Sequence, residues 1–269
     1  MKKIIKELKN STTIQITTLD ERFYARPSKN LITGLPEYQY VPSVTWIAGY
    51  YPKGLNFYKW LADKGWDESQ AIKQAAGDKG SKVHNAIIDL IAGKEIKMDD
   101  KYVNPTTEQL EELTVEEYEA ILSFANWFKT VNPKVLDQDL TVWNENYNYA
   151  GTIDLICDID GLIYIIDLKT SQNIWPEYEL QLSAYKHAQS NNPAIKLAIL
   201  QIGYRRNKVG WKWNEIEDKF DLFLAARKIW ANENEGVVPS QKDLPLAVSL
   251  YPKEKEEKIE VKLKNKIKK

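Results

Sequence analysis

Apolar and polar positions alternate most clearly over residues 149–170, where two runs rich in β-branched and aromatic residues flank Asp160-Gly161. Alternation of this kind marks strands, and Asp-Gly between two such runs marks a two-residue hairpin turn. With that turn, Ile159 faces Leu162 and, counting back, Asp154 faces Asp167. One face then carries Thr152, Asp154, Ile156, Ile163, Ile165, Asp167 and Lys169. The other carries Ile153, Leu155, Cys157, Ile159, Leu162, Tyr164, Ile166 and Leu168, an unbroken apolar surface. A four-residue loop starting at Asp158 would slide the pairing, keep the faces and leave the two acids diagonal.

The remaining pattern reads as helices and strands around this hairpin. Residues 1–45 read as loops with short strands, and Ser43 or Thr45 can cap the helical region that follows. That region interleaves Tyr50, Tyr51, Phe57, Tyr58, Trp60 and Trp66 with Lys53, Lys59 and Lys64. Two readings stay open for it: core of a small helical layer, or rings that stack bases beside lysines that meet phosphates. A helix is expected over 67–92, broken or bent near Gly77 and Gly80. Val83, Ile87 and Ile91 form its buried stripe, with His84 just beside it. Residues 93–113 read as a polar connection. Thr114 and Glu117 have capping-box spacing for a helix over 114–131, which Asn132-Pro133 ends. A strand over 135–145 leads into the hairpin. Beyond it come a helix over 175–190 with Pro176 in its first turn, strands at 194–204 and 209–213, and a helix over 215–231. Gln181 and Tyr185, four residues apart, share a helix face.

The resulting expectation is an α/β protein with a central mixed β-sheet flanked by helices and an N-terminal helical region. Its segments are an N-terminal region over 1–66, a core over 67–240 and a lysine-rich tail over 241–269. Length and composition fit that picture: 269 residues, 43% of them hydrophobic, suffice for a sizeable core. A formal net charge of -1 confines any nucleic-acid affinity to local patches. The single Cys157 excludes internal disulfides and cysteine-ligated zinc or iron–sulfur centres. No apolar run is long enough for a bilayer and the N-terminus lacks a signal-peptide pattern, so a cytoplasmic protein with no membrane association is expected.

Chemistry concentrates at the two aspartates. Side chains directly opposed on paired strands have Cβ atoms roughly 4.5–5.5 Å apart. At an effective dielectric near 20, two carboxylates about 5 Å apart repel by roughly 3 kcal/mol. Protonation of one would relieve this, as would a hard divalent cation held through oxygen. Solvation with Lys169 as a surface partner is the plainer alternative. The cation is the reading favoured here, because one ammonium does not neutralise two carboxylates.

In chain order the sequence offers His84, Glu145, Gly151-Thr-Ile-Asp154, Asp167-Leu-Lys169 and Gln181-Leu-Ser-Ala-Tyr185. A Gly-x-x-Asp strand, Asp-x-Lys on the next strand and Gln-x-x-x-Tyr on the following helix, after an upstream helical His, resembles the PD-(D/E)XK nuclease superfamily. The likeness is to its RecB-like exonuclease branch, which includes mitochondrial genome maintenance exonucleases and CRISPR-adaptation nucleases. It implies a restriction-endonuclease-like core and a Mg2+- or Mn2+-dependent deoxyribonuclease. Such an enzyme would act on single-stranded DNA or free DNA ends in replication, recombination or repair. By the same resemblance Asp154 and Asp167 would bind the ion, His84 would be a further ligand and the Leu168 carbonyl would join them. Lys169 would orient or deprotonate the attacking water, and a pKa lowered by partial desolvation would suit it to that task. Gln181 and Tyr185 would position the strand or the ligands, and Glu145 would support the ligands or a second ion.

Two departures matter. With one cysteine the chain lacks the iron–sulfur cluster of some relatives, and it shows no helicase phosphate loop. It would therefore work alone or with a helicase or recombination partner. An endonuclease of the same superfamily, or a non-catalytic DNA-binding adaptor on the same scaffold, are the rival expectations.

Overall fold

The computed structural model describes residues 4–8, 12–17, 21–29, 34, 36–189, 194–234 and 236–239. The chain opens on four strands, β1 (Ile4–Glu7), β2 (Ile14–Thr17), β3 (Arg22–Lys29) and β4 (Pro36–Pro42), paired antiparallel in sequence order. The short strands expected in this region pair into one sheet. Its longest pairing, β3 with β4, brings together Phe23, Tyr24, Ala25 and Val41, all buried. Ser43 caps α1 (Val44–Ala48), its Oγ accepting the Trp46 amide at 3.0 Å.

α2 (Leu55–Lys64) and the 26-residue α3 (Trp66–Ile91) follow. The break expected at Gly77 and Gly80 does not occur. Each mid-helix glycine costs about 1 kcal/mol relative to alanine. Burying Val83, Ala86, Ile87 and Ile88 on the same helix outweighs two of them. Residues 93–113 are not a bare connection either. β5 (Lys101–Val103) and β6 (Leu110–Glu112) form a small hairpin, and Asn104 Oδ1 accepts the Thr106 and Thr107 amides in its turn. Strands of three residues leave no period to read.

α4 (Val115–Val131) begins with the anticipated capping box: Thr114 Oγ1 accepts the Glu117 amide, and Glu117 Oε2 accepts the Thr114 amide at 2.8 Å. It ends at Asn132 in the left-handed conformation. The larger sheet follows, from β7 (Lys134–Asn144), β8 (Tyr149–Ile159) and β9 (Leu162–Lys169). Then come α5 (Pro176–Gln189), β10 (Lys196–Ile202), β11 (Trp211–Ile216) and α6 (Phe220–Asn234). The last helix starts later than expected, because Glu215 and Ile216 still pair with Ala198 and Leu197.

The order of this five-stranded sheet is β11-β10-β9-β8-β7, with β9 and β10 parallel and every other pair antiparallel. α5 makes the crossover that a parallel pair requires. On one face α1, α5 and α6 pack Ile47, Leu180 and Phe223 against Ile153, Ile156, Ile165 and Ile199. On the other, α3 and α4 pack Val83, Ile87, Phe124 and Trp127 against Leu155, Cys157, Ile166 and Leu200. The fold is thus mixed α/β, a central sheet between helical layers.

Residues Met1–Pro239 form one compact unit, and the boundary expected at 66/67 lies within it, at the start of α3. The lysine-rich tail expected over 241–269 lies outside the described residues. Among the described residues no helix is long and apolar enough to cross a membrane.

Candidate active site

Asp160 and Gly161 both have positive φ, 51° and 80°, as a two-residue turn of the hairpin-favoured kind requires. The turn fixes the expected register, from Ile159↔Leu162 back to Leu155↔Ile166. There the β8–β9 ladder ends. Asp154 and Asp167 do not pair across it; instead Asp154 Oδ2 accepts the backbone N–H of Leu168 at 2.8 Å. A carboxylate takes the place of a ladder carbonyl. On its other edge β9 remains paired with β10 through Lys169↔Gln201. The hairpin therefore forks open at the level of the two acids.

A matching irregularity lies on the other edge of β8. β7 shifts register between Val135 and Asp137. Asp139, placed level with Asp154 by the pairs Gln138↔Leu155 and Leu140↔Ile153, has a φ of 54°. Aspartate is among the few residues that tolerate this region. Here the alternation of β8 also slips: Ile153 packs with Ile156 and Ile165, not with Leu155 as strict period two demands. α3 delivers His84 between the two strands, with Nε2 2.7 Å from Asp139 Oδ1 and Nδ1 3.8 Å from Asp154 Oδ1. Asp139 is the site residue that sequence reasoning missed. No motif covers it, and the one signal is an acid interrupting the apolar pattern of Leu136-Asp-Gln-Asp-Leu140.

Asp167 is 1% exposed. Its Oδ1 accepts from Gln181 Nε2 at 3.0 Å. Its Oδ2 lies 2.6 Å from Lys169 Nζ, off the line of a hydrogen bond, and has no hydrogen-bond partner. Burial pushes the carboxyl up to about 6, with the Lys169 ammonium opposing and the Asp154 charge reinforcing the shift. Burial also disfavours the charge on Lys169, but Asp167 and Asp154 outweigh it and the ammonium is held above its ordinary range. This corrects the expectation of a lowered lysine: the group keeps its proton. Its Nζ also sits 4.6 Å from the centre of the Tyr178 ring.

Gln181 and Tyr185 do share a buried face of α5, and Gln181 Nε2 also donates to Tyr185 Oη at 2.8 Å. Burial raises the Tyr185 phenol well above its usual value, with Tyr24, Asp167 and Asp154 adding to the shift. The N-terminal sheet reaches the same neighbourhood, since Tyr24 Oη is 2.9 Å from Thr152 Oγ1 and accepts from Gln15.

Glu145 does not join the cluster. It lies just past the end of β7, 59% exposed and paired with Arg26 at 2.7 Å, six residues along the chain from Asp139, which is level with Asp154. The aromatic and basic stretch is largely not core: α2 buries no residue, and Tyr58 and Trp66 are more than half exposed. Tyr50 and Tyr51 do pack against the main core.

The donor set of Asp154, Asp167 and His84, hard oxygens with one imidazole backed by Asp139 and no sulfur, suits Mg2+ or Mn2+. Asp167 Oδ2 is held by the Lys169 ion pair alone, without a hydrogen bond. As the side chains stand, Asp154 is turned to the Leu168 amide and Asp167 to Lys169. Among the described residues no three His, Cys, Asp or Glu side chains stand at ligating spacing. Loading an ion therefore requires these carboxylates to turn off their present partners.

No protein-family model matches this sequence, and no curated protein matches it. Among solved structures, an alkaline exonuclease (LHK-Exo) from Laribacter hongkongensis is similar over 71% of this chain and 86% of its own. Sequence identity is 12% and the TM-score 0.35. At that level of superposition the likeness carries no argument, and the function of the site has to be read from its side chains.

Proposed function

We propose that this chain is a divalent-cation-dependent deoxyribonuclease that acts at DNA ends. The observation that supports the reading is the setting of Asp167. It is a buried carboxylate with one oxygen fixed by Gln181 and the other without a hydrogen bond, beside Lys169 and a row of Asp154, His84 and Asp139. So many ionisable groups in one fork of a sheet cost stability. A protein that retains them has a use for their charge.

Mg2+ or Mn2+ bound there would polarise a phosphodiester and lower the pKa of an attacking water. Asp154, Asp167 and His84 would hold it, with the Leu168 carbonyl as a further oxygen. Asp139 would fix the tautomer and orientation of the His84 ring through Nε2. Gln181 keeps Asp167 Oδ1 occupied, so Oδ2, paired with the Lys169 ammonium, is the oxygen that would turn to the ion. Lys169, holding its proton, would donate to a phosphate oxygen or hold the water in line, a role in charge stabilisation and not in proton abstraction. Glu145, at the far end of β7, has no part in this scheme.

The test is digestion of end-labelled linear DNA, single- and double-stranded, with Mg2+, Mn2+ or EDTA. The expected result is release of nucleotides only with the cation and none from covalently closed circles. Lys169→Ala is expected to lose cleavage while retaining DNA binding. If the wild-type protein leaves every linear substrate intact with either ion, the reading fails.

A further inference from the structure

Beside the candidate site lies a cavity of about 440 Å3, walled by α3, the β5–β6 hairpin and Leu8, with Asp139 and Thr152 of the large sheet in its lining. Those two residues tie it to the cluster, because Asp139 bonds His84 and Thr152 bonds Tyr24. Asn85, the neighbour of His84 on α3, lines it as well. The volume falls within the roughly 300–1,000 Å3 of sites that hold small organic ligands.

The lining is mainly apolar with a few directed polar groups. Ile88 and Leu8 are buried in its wall, while Val103 and Leu110, a cross-strand pair of the small hairpin, are 47% and 64% exposed at it. Exposed aliphatic side chains beside a cavity suit an occupant with an apolar face. Tyr102 supplies a ring, held by a 3.3 Å bond from its hydroxyl to Asp89 Oδ2. Burial, with Asp89 beside it, pushes that phenol up to about 12, so the ring is neutral at physiological pH. Each charge in the lining already has a partner, Asp89 with Lys94, Asp139 with His84 and Lys101 with Glu112, so none is left over to hold a phosphate. The hydroxyl of Thr152 and the amide of Asn85 suit the edge of a heterocycle.

We infer that this cavity receives a nucleobase of the strand whose phosphate lies at the Asp154–Asp167 cluster, stacking it against Tyr102. The inference rests on the nuclease reading and adds a base-binding subsite to it. Stacking of one base on an aromatic side chain contributes enough to change affinity by about tenfold or more.

The experiment measures binding of a short fluorescent single-stranded oligonucleotide in EDTA, by anisotropy, with one abasic position moved along the strand. In the wild-type protein one position is expected at which removing the base weakens binding by about tenfold. Tyr102→Ala is expected to abolish that dependence, while Tyr102→Phe, which keeps the ring, retains it. Circular dichroism and thermal melting of both variants establish that they are folded. A flat abasic profile in the wild type overturns the subsite, and so does a position dependence that survives in Tyr102→Ala. Cation-dependent cleavage of end-labelled DNA, measured on the same preparation, separates the two readings. Cleavage with a flat profile removes the subsite alone, whereas neither binding nor cleavage removes both.

Discussion

Tyr185 lies so close to Gly151 that a Cβ built on the glycine would stand 2.3 Å from the tyrosine Cε1. The glycine of the Gly-x-x-Asp stretch and the tyrosine of the Gln-x-x-x-Tyr stretch are thus two halves of one contact. Through it α5 approaches β8 closely enough for Gln181 to reach Asp167. Gly151→Ala is expected to push the ring aside and destabilise the fold by about 1–3 kcal/mol, the usual cost of overpacking. Urea unfolding of the variant checks this; a midpoint equal to that of the wild type would show that the contact has slack.

Asp167 makes stability depend on pH in a direction opposite to an ordinary salt-bridged aspartate. Its carboxyl, raised mainly by burial to about 6, holds a proton in the folded chain that the unfolded chain releases near pH 4. Between about pH 4 and 6 the folded state therefore binds more protons. The contribution of this group to the unfolding free energy falls as pH rises through that window, by up to about 3 kcal/mol. Carboxyl-carbon NMR of the protein in EDTA is expected to show one aspartate titrating near pH 6. Lys169→Ala is expected to move that midpoint higher, because the ammonium opposes the shift; an unchanged or lower midpoint contradicts the pairing.

Much of this site was legible because its parts depend on short-range rules. Asp160-Gly161 specified the turn, and the turn specified the register down to Leu155↔Ile166. The Thr114–Glu117 capping box and the buried stripe of α3 were equally local. What escaped were features that depend on departures from regularity. Strict alternation places Asp154 opposite Asp167, whereas a left-handed Asp139 and the slipped face of β8 mark a fork that frees Asp154 to accept the Leu168 amide. Proximity in sequence favoured Glu145, but strand geometry carries it six residues past Asp139, to Arg26. The sign of the Lys169 shift escaped too, because it depends on two carboxylates whose distances only the fold supplies. The contact of Tyr24 with Thr152 joins residues 128 apart in the sequence, which no local pattern reveals.

If the cluster holds an ion as proposed, Asp139 acts on it through His84, and its removal is expected to weaken ion binding and not the fold. Asp139→Asn should reduce Mn2+ affinity by about 10–100-fold, the usual effect of losing a carboxylate behind a histidine ligand. Isothermal titration with Mn2+ reads this, and the His84 ring NMR signals report whether the imidazole has lost its orientation. Unaltered Mn2+ affinity would place Asp139 outside the site.

The helical frame that holds His84 depends on a buried pair. Lys82 Nζ lies 2.9 Å from Glu117 Oε2, joining α3 to the first turn of α4, with both side chains almost fully buried. Lys82→Met leaves the glutamate without its cation and is expected to destabilise the protein by about 3 kcal/mol. Urea denaturation measures the loss. Lys82→Met combined with Glu117→Gln should recover part of it, because the amide can still accept the Thr114 N–H without carrying a charge.

The central claim is that Asp154, Asp167 and His84 gather around one divalent ion. Anomalous diffraction from crystals grown with Mn2+ tests it most directly. The account predicts a manganese peak between these three side chains, with Asp167 Oδ2 turned from Lys169 to the ion. Crystals of a protein shown to degrade DNA with Mn2+, in which that fork is empty and the Asp167–Lys169 pair intact, would contradict it.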